Sequence, residues 1–228
     1  MPLIYRQIQS FFLLVALFIL TGCSQTTSDL SDSFSLALFG TKDIAVPTER
    51  INTLPYASMY VRQGTGPRVF VVLGWVEGMD SRLSPQLKWL SAGEEMIVTE
   101  AGRIVKTVNL GNGNLSAIYA EQPDPLSLGL HKKTTPLTWQ HTLNWQPGYH
   151  FGYSAISTFE KKGIESVLIN GYSTELLRFD ERVFVPSLDV TYTNSYWLTP
   201  LSGKVVSSQQ TPAPGMDVIK FTILKPFA

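Results

Sequence analysis

From residue 45 onward the hydrophobic positions fall in short runs and strict alternations, and these predict β-strands rather than helices. Residues 137–145 (LTWQHTLNW) are the clearest case. Odd positions carry Leu137, Trp139, His141, Leu143 and Trp145, and every even position is polar, which is the pattern of a half-buried antiparallel strand. Pro147-Gly148 then turns the chain into a second alternation through Tyr149, Phe151 and Tyr153. Residues 68–76 form an apolar, valine-rich run without alternation, which predicts a strand buried on both faces. Residues 96–99 and 104–110 flank Glu100-Ala101-Gly102-Arg103 as a hairpin, and Asn170-Gly171 is a two-residue hairpin turn after a strand at 164–169. Further strands are predicted at 172–185, 190–198, 204–209 and 218–224, about ten or more in all. One short amphipathic helix is predicted by Leu30, Phe34, Ala37 and Leu38 with Gly40 as its stop, its apolar face packing on the domain, and one helical turn at 83–90. The fold class is therefore mainly β: an antiparallel meander forming a sandwich or barrel-like soluble domain, with one short N-terminal helix. A transmembrane barrel is disfavoured, because runs such as 69–76 leave no polar face for a lumen.

The first 22 residues follow a different pattern. A short basic start with Arg6 precedes an apolar run at 11–20, and small residues lead to Cys23, as in a secretory signal peptide. The apolar run of about ten residues is half of what a spanning helix needs. Leu20-Thr21-Gly22-Cys23 resembles the bacterial lipobox, in which the cysteine thiol takes a diacylglycerol and becomes the new N-terminus. Several acyl chains, at ~0.8 kcal/mol per buried methylene, anchor stably. Ser24, where an Asp favours inner-membrane retention, points to the outer membrane with the chain facing the periplasm. The expected organisation is a signal peptide at 1–22, a lipidated polar tether at 23–29 and a single β-rich periplasmic domain at 30–228. The proline-bearing stretch 121–136 is the candidate for a subdomain break.

Formal net charge is zero and 16% of residues are charged, so no electrostatic footprint for nucleic acid exists and no polybasic patch adds a second membrane signal. Cys23 is the single cysteine; once lipidated it leaves no intrachain disulfide and no thiolate metal site. A content of 44% hydrophobic and 11% aromatic residues is enough for a sizeable core.

Candidate chemistry is sparse. The three histidines, His131, His141 and His150, show no metal-ligand spacing, and His141 sits on the aromatic side of its strand as a hydrogen-bonded core residue. Gly171-Tyr172-Ser173-Thr174-Glu175 lacks the closing glycine of a nucleophile elbow. Glu94-Glu95, Asp180-Glu181 and the pair Glu77 and Asp80 read as solvated turn acids. Gly111-Asn112-Gly113-Asn114 reads as a turn, without the lysine and helix of a phosphate loop. No catalytic residue, metal site or cofactor is expected. Trp139, Trp145, Tyr149, Phe151 and Tyr153 lie on consecutive strands and form either a core layer, the commoner outcome, or a stacking platform for sugar rings.

Beyond its patterning the chain resembles the YjbF/GfcB family of lipoproteins encoded with group 4 capsule or exopolysaccharide genes. The stretches that carry the resemblance are Leu54-Pro55-Tyr56-Ala57-Ser58-Met59-Tyr60, Val71-Val72-Leu73-Gly74, Gly102-Arg103-Ile104-Val105-Lys106-Thr107 and Asp124-Pro125-Leu126. They continue with Asn194-Ser195-Tyr196-Trp197, Gly203-Lys204-Val205, Ser208-Gln209 and Leu224-Lys225-Pro226. Thr199 departs from a family preference for Asp, and residues 126–151 match least. The resemblance implies an outer-membrane lipoprotein with a mostly antiparallel β fold and no established enzymatic activity. It further implies co-encoded secretion partners, including an outer-membrane β-barrel and a small periplasmic component. The expected role is a non-enzymatic accessory or scaffold in polysaccharide biosynthesis and secretion. The rival is a binding or carrier module for an apolar or glycan ligand, which an open apolar cavity favours and a filled core disfavours. A glycan-cleaving enzyme is a distant third and needs two carboxylates facing across a cleft.

Overall fold

The computed structural model of the protein describes residues 43–79 and 84–227, all of them in one compact unit, Ala37–Ala228. The signal segment, Cys23, the helix expected at 30–40 and Asp80 lie outside the described residues.

Twelve strands make one sheet: β1 (Ser58–Gln63), β2 (Arg68–Glu77), β3 (Gln86–Leu90), β4 (Met96–Glu100), β5 (Arg103–Val108), β6 (Asn114–Tyr119), β7 (Thr138–Gln146), β8 (His150–Ile169), β9 (Tyr172–Val185), β10 (Val190–Leu198), β11 (Val205–Gln210) and β12 (Ile219–Lys225). Every neighbouring pair is antiparallel, and β12 returns to pair with β1, so the meander curls into a nearly closed barrel. Hairpins account for the order. Ala101 and Gly102 (φ 48° and 90°) and Asn170 and Gly171 (φ 50° and 83°) adopt the left-handed turn conformations that match strand twist. The ladder is interrupted between β5 and β6, which are consecutive in the chain but stand at opposite ends of the strand order. Side chains replace the ladder there. Thr107 Oγ1 accepts from Leu115 N–H of β6 at 2.9 Å, and Gln210 Oε1, from β11 across the barrel, accepts from Ile104 N–H of β5 at 3.0 Å.

The interior is filled. One cluster joins Met59, Val71, Trp89, Leu143, Trp145 and Phe221; a second joins Leu126, Trp139, Phe159, Phe179, Tyr196 and Leu198. A short helix, α1 (Thr48–Thr53), covers the outer face of β1 and β2 by burying Ile51 against Tyr60 and Phe70.

Several expectations need correction. Residues 68–76 are not buried throughout. Phe70 and Val71 point into different clusters, but the register shifts at Gly74 and Trp75 emerges 59% exposed. Gly74 lies so close to β3 that an added Cβ would meet Leu90 Cδ1 at 2.8 Å, and the resulting bulge re-aims the strand's end. The helical turn expected at 83–90 is instead β3, with Trp89 buried between β2 and β4. Residues 121–136 do not divide two sheets. They hold a second short helix, α2 (Pro125–Leu128), whose Leu126, with Leu130 beyond it, packs into the second core cluster.

Candidate functional site

Antiparallel order puts successive turns at alternate ends of the barrel, and the two ends differ chemically. At the end carrying the 101–102 turn and α2, alternation along β9 turns Leu177, Phe179, Glu181, Val183 and Val185 inward. Glu181 is thus 0% exposed, in a strand interior rather than a solvated turn, a correction to the expectation for that acid pair. Arg103, at the start of β5, reaches it: Nη1 donates to Glu181 Oε2 at 3.0 Å and to Tyr196 Oη at 3.1 Å. The other edge of the guanidinium grips Asp124, through Nε and through Nη2 at 3.2 Å. Asp124 Oδ1 also caps α2 by accepting from Leu126 N–H at 2.9 Å. Asn194 Nδ2 donates to Glu181 Oε2 at 2.9 Å, and the guanidinium stands 4.6 Å over the Trp139 ring.

Burial pushes the Glu181 carboxyl up, but Arg103 and Asn194 outweigh it and hold the group at about 2. Burial, reinforced by Arg103, lowers His141 to about 3. His141 stacks on Trp139 with centroids 4.1 Å apart, and its Nδ1 has no partner among the described residues. Glu181 Oε1 and Ser157 Oγ are likewise unpaired. Asp180, beside Glu181 but on the outer face, is bound by Arg178 and Ser195 at 2.8 Å each. The ion pairs of this network tie β5, α2 and β9 together.

The opposite end is open. A cavity of about 530 Å³ lies between the β1–β2 turn, the β3–β4 turn, the β5–β6 turn and Asp217. Its floor is aliphatic, from Val61, Val69, Val71, Ile97, Leu110 and Ile219 over Trp89. Its rim is polar: Asn112 Nδ2 and Gln63 Nε2 both donate to Asp217 Oδ2, at 2.7 and 3.3 Å. Glu95, held by Ser91, stands on the same rim.

The five rings proposed from sequence do not form one platform. Trp139 (6% exposed) and Trp145 (3%) point inward into different clusters. Tyr153 is half-buried and packs at a tilt against Trp145 and His150. Tyr149 (95% exposed) and Phe151 (56%) remain free at the open end. Sequence reasoning missed Arg103, Asp124, Glu181 and Tyr196. For Glu181 and Tyr196 the signal was available as parity, a polar group on the apolar side of its strand. For Arg103 and Asp124, both at turns, no local signal exists. All but Glu181 lie in stretches on which the family resemblance rests.

The family described as "Group 4 capsule polysaccharide lipoprotein gfcB, YjbF" matches residues 31–224. The Escherichia coli K12 protein described as uncharacterized lipoprotein GfcB is 35% identical over 91% of this chain and 94% of its own length. Lipoprotein YjbF of the same organism is 30% identical over 93% and 96%. The crystal structure of the hypothetical lipoprotein YmcC from E. coli K12 superposes with a TM-score of 0.74 at 31% identity, over 91% of this chain and 99% of that one.

Proposed function

The chain belongs to the family of group 4 capsule polysaccharide lipoproteins that includes GfcB and YjbF, and from this premise we propose that it is a non-enzymatic accessory protein of capsule or exopolysaccharide assembly and secretion. It is held by Cys23 at the periplasmic face of the outer membrane and docks on co-encoded secretion proteins, an outer-membrane β-barrel and a small periplasmic component among them. The non-enzymatic part is supported by the position of the Arg103 ion cluster, whose charges are buried inside the barrel and paired with one another.

The observation that carries the docking role is the β8–β9 hairpin. Pairing of β8 with β7 ends at Thr138 and Thr158, and pairing of β9 with β10 ends at Leu177 and Leu198. The hairpin continues alone to Ile169 and Tyr172. Ile164, Leu168 and Tyr172 are exposed on it, and among the described residues both of its edges lack a neighbouring strand. Such an edge is a template for pairing with another chain, and apolar side chains there fit a partner's surface. Deletion of the gene in a strain that makes the capsule is expected to abolish or sharply reduce surface polysaccharide. Complementation with Leu168→Ser/Tyr172→Ser is expected to restore protein level but not capsule. An unchanged capsule after deletion refutes the role, and full rescue by the double variant refutes the docking surface.

A second reading, a ligand-binding module, is favoured by the cavity at the open end. The filled interior counts against a carrier of acyl chains, which need an enclosed apolar space.

A further inference from the structure

We infer that the cavity at the open end is a binding site for an uncharged or amino-bearing sugar residue, recognised through its hydroxyl or ammonium donors. This rests on the capsule-related reading above and names the ligand class of its second form.

The size comes first. About 530 Å³ lies within the roughly 300–1,000 Å³ of ordinary small-ligand sites. The second consideration is hydrogen-bond polarity. Gln63 and Asn112 each spend an amide N–H on Asp217 Oδ2. Three planar polar side chains from three separate segments are thereby locked in one arrangement. Among the described residues, Asp217 Oδ1 and the amide oxygens of Gln63 and Asn112 have no side-chain partner. With Glu95 they make a rim dominated by acceptors, so the complementary ligand is rich in donors.

Charge excludes the main competitors. Among the described residues no Lys, Arg or His lines the cavity, whereas Asp217 and Glu95 do. Arg62, at the β1–β2 turn behind the lining residue Gly66, donates to Gly66 O at 2.6 Å and has its charge paired with Asp43. A uronate, phosphate or other anion would meet two carboxylates, with no cation among the described lining residues to offset them, and like-charge juxtaposition opposes binding. A sugar's hydroxyls match the rim, and its C–H face matches the aliphatic floor.

The turn that packs beside the rim carries an aromatic residue. Gly113 follows the rim residue Asn112 and lies against the β7–β8 turn, where an added Cβ would be 2.5 Å from Gln146 O and 3.1 Å from Pro147 Cδ. That turn carries Tyr149, the most exposed of the rings considered from sequence. It is braced from below by the stacked Trp145 and His150 rings, 4.4 Å apart, with His150 Nδ1 3.0 Å from Pro147 O. A braced turn beside the rim that carries an exposed tyrosine offers a stacking ring within the same end of the barrel.

The test uses full-length protein in detergent micelles. Oligosaccharides from a partial hydrolysate of the host strain's capsule are split by anion exchange into neutral or amino-bearing and acidic fractions. Binding is read by saturation-transfer NMR. Transfer to the neutral or amino fraction is expected, about tenfold weaker binding for Asp217→Ala and a clear loss for Tyr149→Ala, with thermal melting unchanged. If Asp217→Ala is misfolded, Asn112→Ala at the exposed rim serves instead. No transfer to either fraction, preference for the acidic one, or transfer indifferent to the rim variants overturns the inference. A deletion strain that loses its capsule while neither fraction binds rejects only this site. A deletion strain that keeps its capsule rejects the capsule role, and the NMR result then stands on its own.

Discussion

Arg103 holds three elements together: β5, on which it sits, α2 through Asp124 and β9 through Glu181. Truncating one partner of a buried ion pair costs more than the pair contributes, because the remaining charge stays desolvated. Arg103→Met is expected to lower unfolding free energy by about 3–5 kcal/mol, measured by urea denaturation, with Glu181→Gln on that background restoring part of the loss. The same network sets an acid limit. His141 has a folded value of about 3 against an ordinary 6.5. Between those values the unfolded chain binds a proton that the folded chain does not, so stability falls as pH drops from 6.5 towards 3. The effect is on the order of 4 kcal/mol across the window. Glu181, ordinarily near 4.5 and folded at about 2, contributes stability that is present above 4.5 and lost as pH falls through 2. His141→Phe keeps the stacking on Trp139 and removes the first window. Its melting temperature is expected to vary little between pH 6.5 and 4.5, where the parent declines; an unchanged slope would show that another group carries the dependence.

Among elements, those defined by local pattern were legible in the chain. The turns at 101–102 and 170–171, and β7 with inward Trp139, His141, Leu143 and Trp145, stand where alternation and turn chemistry put them. The bulge in β2 was not legible, because it arises from the approach of Leu90 on β3 to Gly74, a contact made only by folding. For the same reason β3 read as a helical turn: its period is set by the neighbours β2 and β4. The β8–β9 hairpin is an element whose extent the sequence understates, since pairing of the two strands continues past Phe159, through the polar run Glu160-Lys161-Lys162-Gly163, although the barrel wall ends there. Glu165 receives Arg178 Nη1 at 3.0 Å and Trp197 Nε1 at 2.8 Å, which clamps the hairpin's root to β10. Substitutions at its exposed end should therefore be nearly silent in stability. Leu168→Ser/Tyr172→Ser is expected to shift unfolding free energy by about 0.5 kcal/mol or less per site while weakening recovery of the secretion partners in a pull-down from native membranes. A large loss of stability would return these side chains to a structural role.

At the scale of the whole molecule, the barrel separates its two ends by chemistry, with ions sealed at one and a polar-rimmed cavity at the other. On the proposed reading the lipobox-like segment tethers that body to the membrane. Cys23→Ala is expected to release the protein from the membrane fraction or leave an uncleaved precursor, read by fractionation and intact mass; a Cys23→Ala protein that still floats in mature, lipidated form would refute the anchor. The sequence alone determined the antiparallel β class, most strand positions and the family, since each of these depends on residues close together in the chain or on their order along it. Tertiary structure decided that the meander closes as a nearly complete barrel, that Glu181 meets Arg103 across 78 positions, and that Asp217 meets Asn112 across 105. Alternation says which residues share a face of a strand. It does not say which strands will face each other, and both the ion cluster and the cavity rim are made of residues whose only proximity is across the closed sheet.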